Sequence, residues 1–251
     1  MTGDPVQTFR LLYCGAIAAQ SAIQFADQLR FFRTTPSRLY GPPPKLLGRL
    51  TLPIPRNELW WVVTGLAFIG SLVAVVAGIA PRVSLSVALI FYFLYFPAIL
   101  PLSYIRRKAN LIPIILAILA SPSDSKMMMV TIALASVYLS AGVEKLRTSG
   151  IRWRDGDSLK AYLMESYLRD DSRAALWLAR RADWCRWLST FVLAWELSFW
   201  LVIPFPSLVW FYVPAGLAFH AGTAITMRIH YWIYFLPLYL VFIAPWLSRF
   251  F

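Results

Sequence analysis

The chain has 251 residues, of which 59% are apolar and only 14% charged, with a mean hydropathy of +0.61 and a net charge of +12. Soluble domains carry about 25% charged residues, so this composition argues against a water-soluble fold and for an all-α integral membrane bundle. The two cysteines, Cys14 and Cys185, fall near opposite ends of the expected bundle, which argues against an internal disulfide.

Residues 1–10 carry no positive region ahead of an apolar core, so no cleaved leader is expected. Apolar runs of about 17–25 residues mark membrane-crossing helices. Eight are predicted, at 11–29, 58–80, 84–104, 107–121, 127–145, 187–204, 208–227 and 231–248. The first is the most polar, with Gln20, Gln24 and Asp27. The fourth is short, with Pro113 near its start, where proline is tolerated. The expectation is one transmembrane domain over 1–251 with an amphipathic interfacial segment at about 146–186. There, Leu159, Tyr162, Leu163, Ser166 and Tyr167 share a helical face, and Leu176, Trp177, Arg180, Arg181, Trp184 and Trp187 follow. Aromatic and arginine side chains of this kind belong at headgroup level.

The basic residues test the count of eight. If all eight segments cross, twenty of the 24 Lys and Arg residues fall on the face that carries Lys45, Lys108 and Lys160. If the fourth does not cross, the split becomes eleven against thirteen and the bias vanishes. The positive-inside rule therefore favours a crossing fourth helix, places the basic face in the cytoplasm, and implies a multi-pass protein of the cell (inner) membrane. The net charge is explained by headgroup contacts in the lipid bilayer, and no basic patch interleaved with aromatics points to nucleic acid. No Cys/His metal cluster, phosphate-binding glycine loop or internal repeat is present in the sequence. A transporter is disfavoured because no inverted repeat is visible.

Ionisable groups inside a membrane line cavities or pair with each other. Glu196, in "FVLAWELSFWLV", lies nine residues past Trp187, about 13 Å deep at helical rise. His220, in "GLAFHAGTAITM", lies about 12 Å from the same face, and Tyr138 about 10 Å. Glu144, Lys145 and His230 sit at the rim. Two readings stand for Glu196 and His220: a polar cavity shared with Tyr138, or hydrogen bonds that only join helices. Lys145 is either a base at a cavity mouth or a snorkelling helix-end anchor.

The stretch "YLSAGVEKL", then "WRDGDSL", then "FHAGTAITMRIHYWIYFL", resembles the HTTM domain, the membrane domain shared with vitamin K-dependent γ-glutamyl carboxylases. Tyr138, Ala141, Gly142, Lys145 and Leu146 match the first part of that family's pattern, and Trp153, Asp155, Gly156 and Ser158 the second. Phe219 and His220 match a later helix, and Glu196 a glutamate in the helix before it. Where the carboxylases have a histidine ahead of the short fourth helix, Ala109 and Asn110 stand here.

The resemblance implies that Lys145 is the base that deprotonates a reduced quinone. Oxygen and carbon dioxide are the implied co-substrates, and His220 assists the oxygenated intermediate. Glu196 joins them as a catalytic candidate, with Tyr138, Gly142, Trp153 and Asp155 lining the substrate site. Desolvation at a membrane rim makes a lysine a usable base, and a pocket among helices suits an apolar quinone. The carboxylases carry a large soluble substrate-capturing region that this chain lacks, so a stand-alone enzyme on a quinone-like or other lipid-soluble substrate is expected. The alternative is a non-catalytic accessory protein in export or maturation of a small peptide.

Overall fold

The computed structural model describes residues 4–34, 45–46, 50–51, 58–95, 111–228, 232–247 and 249. Lys108, Ala109, Asn110 and His230, weighed above, lie outside the described residues. Among the described residues the chain is helical apart from turns and one short antiparallel pairing, β1 (Lys45–Leu46) with β2 (Leu50–Thr51). It divides into two compact units, Met1–Val130 with Leu240–Phe251, and Thr131–Tyr239.

In the first unit, α1 (Pro5–Thr34) starts where the Asp4 carboxylate accepts the Val6 N–H at 2.9 Å, with proline at the first helical position. α2 (Glu58–Val76) ends four residues before the predicted 80, because Gly78 at φ 75° and Ala80 at φ 38° turn the chain before Pro81 opens α3 (Pro81–Tyr95). α4 (Leu111–Ala120) follows in the same unit. Phe25, Trp61 and Tyr95 form its aromatic centre, with Trp61 4.9 Å from Phe25 and 5.0 Å from Tyr95 between ring centroids.

α5 (Lys126–Ser149) leads into the second unit. A 3-10 turn, Gly150–Asp155, follows it, then α6 (Asp157–Asp170), α7 (Arg173–Ala179) and α8 (Ala182–Ser198). Two further 3-10 turns precede α9 (Val209–Met227), and α10 (Trp232–Leu247) closes the sequence of helices. α6, α7 and the start of α8 form a cap with its own small core of Leu163, Ala175, Ala179 and Cys185, packed by Leu159, Tyr167 and Met227. The cap is pinned to the end of α9 by two hydroxyls, Ser166 at 3.3 Å and Ser172 at 2.7 Å, both donating to the Thr226 carbonyl. Tyr162, read in the sequence on one helical face with Leu163 and Ser166, is half exposed, as are Trp177 and Trp184.

Each of the eight predicted apolar segments coincides with a helix over most of its described residues, although 58–80 and 187–204 run past the ends of theirs. Among the described residues, three stretches are long and apolar enough to cross a membrane: Glu58–Val76, Lys126–Asp155 and Pro206–Met227. Pro81–Tyr95, Leu111–Ala120 and Phe235–Leu247 are apolar but shorter. The outer surface of α2 carries Leu66 and Val73, each more than half exposed. Water does not select such a face, whereas hydrocarbon does.

Candidate functional site

Tyr138, Gly142 and Lys145 recur at four- and three-residue spacing, so α5 presents them as one stripe. Glu144, one residue off, is on the exposed side. The adjacent acid and base thus serve different faces.

Gly142 is the middle of the stripe and has no side chain for a physical reason. A Cβ there would lie 2.9 Å from Leu197 Cδ2 and 3.2 Å from Glu196 Cβ. The missing side chain lets α8 close on α5, and that approach carries Glu196 to Lys145. Lys145 Nζ donates to both Glu196 oxygens, at 2.6 and 2.5 Å. The Glu196 side chain is 4% exposed and that of Lys145 20%, so the pair is sheltered on its acidic side and reachable on its basic side.

Two turns back along the stripe, the Tyr138 hydroxyl lies 2.9 Å from His220 Nε2 and 2.5 Å from the Tyr239 hydroxyl. All three residues are buried. Aromatic rings hold the cluster in place. Trp195 and Phe199 lie 4.6 and 4.5 Å from the Tyr138 ring, and Phe235 stacks on His220 at 4.6 Å.

The 3-10 turn after α5 explains the tryptophan and the acidic turn. Gly156 has φ 88°, and a Cβ on it would lie 2.6 Å from the Arg186 backbone nitrogen, so glycine alone lets the turn seat on the start of α8. The seating is fastened by Thr190, whose hydroxyl reaches the Arg154 carbonyl at 3.4 Å. It places the Trp153 ring 5.4 Å from Lys145 Nζ, a cation–π distance. The Trp153 indole Nε1 is buried with no hydrogen-bond partner.

The structure therefore brings together Lys145, Glu196, Gly142 and Trp153, and joins Tyr138 to His220. Asp155 is exposed on the turn. Tyr239 was missed by sequence reasoning, because a tyrosine within "WIYFLPLYLVFIAPWL" carries no signal that separates it from lipid-facing aromatics. No group of three or more His, Cys, Asp and Glu residues able to hold a metal occurs among the described residues. Compared with known protein families, curated proteins and solved structures, the chain matches none.

Proposed function

We propose that the chain is a multi-pass protein of the cell (inner) membrane and an HTTM-like enzyme acting on a quinone-like or other lipid-soluble substrate at the Lys145–Glu196 pair. The observation that carries this reading is the pair itself. A base and an acid meet at 2.5–2.6 Å, one nearly buried and one reachable, on the same helix stripe as a tyrosine–histidine–tyrosine chain. Eight passes, with 146–186 on the cytoplasmic face, follow from the distribution of twenty of the 24 basic residues.

Lys145 must shed a proton before it can accept one, and the Glu196 carboxylate in contact with it is the group that takes it. In this reading the amine is the outward-facing base and Glu196 its sheltered proton partner. Tyr138, His220 and Tyr239 form a second line along which a proton can be handed by shifts of hydroxyl and imidazole hydrogens. The buried, unpartnered Trp153 N–H fits a carbonyl or hydroxyl oxygen on a quinone-like ring beside Lys145. A reduced quinone, when bound, supplies the electrons for reaction with oxygen. Carbon dioxide enters only in the carboxylase-like variant of this reading.

A second reading, a non-catalytic accessory protein in peptide export or maturation, is favoured by one fact. Both Glu196 oxygens are engaged by Lys145, and a clamp between two helices needs no substrate. The test is a comparison of lipid-soluble metabolites in membranes with the protein, without it, and with Lys145→Arg. The enzyme reading expects one compound to accumulate both without the protein and in the arginine variant. Unchanged metabolites together with normal function of the arginine variant would rule it out.

A further inference from the structure

Where the cap meets the end of α9 there is an open cavity of about 630 Å³. Its polar wall is made by Asp171 and Arg173, between and at the start of the two cap helices, and by Arg228, which follows the last residue of α9. Its apolar wall includes Ala224 and Ile225, and Ile225 is 63% exposed.

The chemistry of the cavity is that of an amphiphile's head. Neither Arg173 nor Arg228 is in an ion pair among the described residues. The neighbouring acids are taken. Arg169 binds Asp170 at 2.8 Å and Glu165 at 3.4 Å, and that contact holds the Asp170 carboxyl below its usual range, with the Arg228 charge adding to it. Asp171 remains as an acceptor on the rim. Ser172 faces the cavity too, but its hydroxyl is spent on the Thr226 carbonyl, so it fixes the wall rather than serving a ligand.

Position completes the argument. Pro206–Met227 is long and apolar enough to cross a membrane, and Arg228 comes directly after it. Two guanidiniums at the end of a crossing helix lie at headgroup depth, and exposed Ile225, one turn inward, lies where acyl chains begin.

We infer that this cavity is a binding site for the phosphate of an anionic phospholipid. Arg173 and Arg228 take the phosphate oxygens, the geometry for which guanidinium is suited. Asp171 accepts from a headgroup hydroxyl, and Ile225 lies along the first methylenes. The inference rests on the chain lying in a membrane and is independent of the chemistry proposed for Lys145.

The test is native mass spectrometry of the full chain, titrated separately with phosphatidylglycerol, phosphatidylcholine and inorganic phosphate. Phosphatidylglycerol should fill one saturable site about tenfold more tightly than phosphatidylcholine. Arg173→Gln and Arg228→Gln should each weaken it about fivefold, at roughly the contribution of one basic residue near an anionic surface. Arg152→Gln with Arg180→Gln, both exposed and outside the cavity, should leave binding unchanged. Equal affinity for the two lipids, or equal weakening by the control pair, would overturn the site. Displacement of the lipid by inorganic phosphate would show a free-phosphate site instead. Circular dichroism checks folding. If Arg228→Gln fails it, Arg173→Gln and Ile225→Asp, which sets a carboxylate beside the phosphate, still decide the matter.

Discussion

Lys145→Ala strands the Glu196 carboxylate in surroundings where its side chain is 4% exposed. Two unit charges at this separation attract by about 6 kcal/mol at an effective dielectric near 20. Desolvation cancels much of that in the intact pair, but loss of one partner leaves the other unpaired, at about 3–5 kcal/mol. The lower end applies here, because the 20% exposed lysine side of the pair admits water to whatever remains. Glu196→Gln should cost a similar amount. The double substitution Lys145→Met with Glu196→Leu should recover most of the loss, since neither charge is then left stranded. Reversible unfolding in mixed detergent micelles measures all three. A loss below about 1 kcal/mol for Lys145→Ala, or a double variant no more stable than Lys145→Ala, would refute the buried-pair argument. Lys145→Arg then separates stability from chemistry. Arginine keeps the charge and the clamp but cannot give up its proton, so folding should survive while turnover is lost. Full function in that variant removes the base role.

Tyr239→Phe should cost about 0.5–1.5 kcal/mol, the usual worth of one hydrogen bond, and Tyr138→Phe more, because Tyr138 bonds both Tyr239 and His220; thermal unfolding of the two variants ranks them. Gly142→Ala should cost about 1–3 kcal/mol through overlap with Leu197, and should weaken the Lys145–Glu196 coupling in the same unfolding assay. Single cysteines at Lys45, Lys108 and Lys160 should all label from one side of the membrane; opposite labelling at Lys108 and Lys160 removes the crossing at 107–121. Cys185, whose thiol is pushed up by burial in the cap, should react with maleimide near neutral pH more slowly than an exposed cysteine, until denaturant opens the cap.

The helices were legible because apolar composition is a property of each segment alone. Their lengths were less so, because a helix stops where turn geometry stops it. The predicted helix 58–80 ends at Val76, where Ala77 and Gly78 begin the turn. The cap core was half legible. Leu159, Tyr162, Leu163, Ser166 and Tyr167 were read on one helical face, and of these Leu163 and Ser166 are buried while Tyr162 is half exposed. In the proposed membrane setting, an apolar face there has two surroundings to choose between, the cap core and the lipid.

The site shows where depth arithmetic fails and stereochemistry succeeds. Reading Lys145 as the last residue of its helix put it at the rim, and reading Trp187 as the start of the next put Glu196 about 13 Å below it. Both boundaries moved. α5 runs on to Ser149, so Lys145 sits about one turn inside, and α8 begins at Ala182, so the cap rather than the rim covers its first turn. A lysine side chain then covers the remaining gap. What the spacing of tyrosine, glycine and lysine encodes is the approach of a second helix. Glycine removes the obstacle, lysine meets the acid that the approach delivers, and tyrosine meets the histidine of a third helix on the same stripe. An oily helix can carry a lysine in this way because its partner is a neighbouring helix, and the indole of Trp153, set by a turn that only Gly156 can make, stands 5.4 Å from the ammonium.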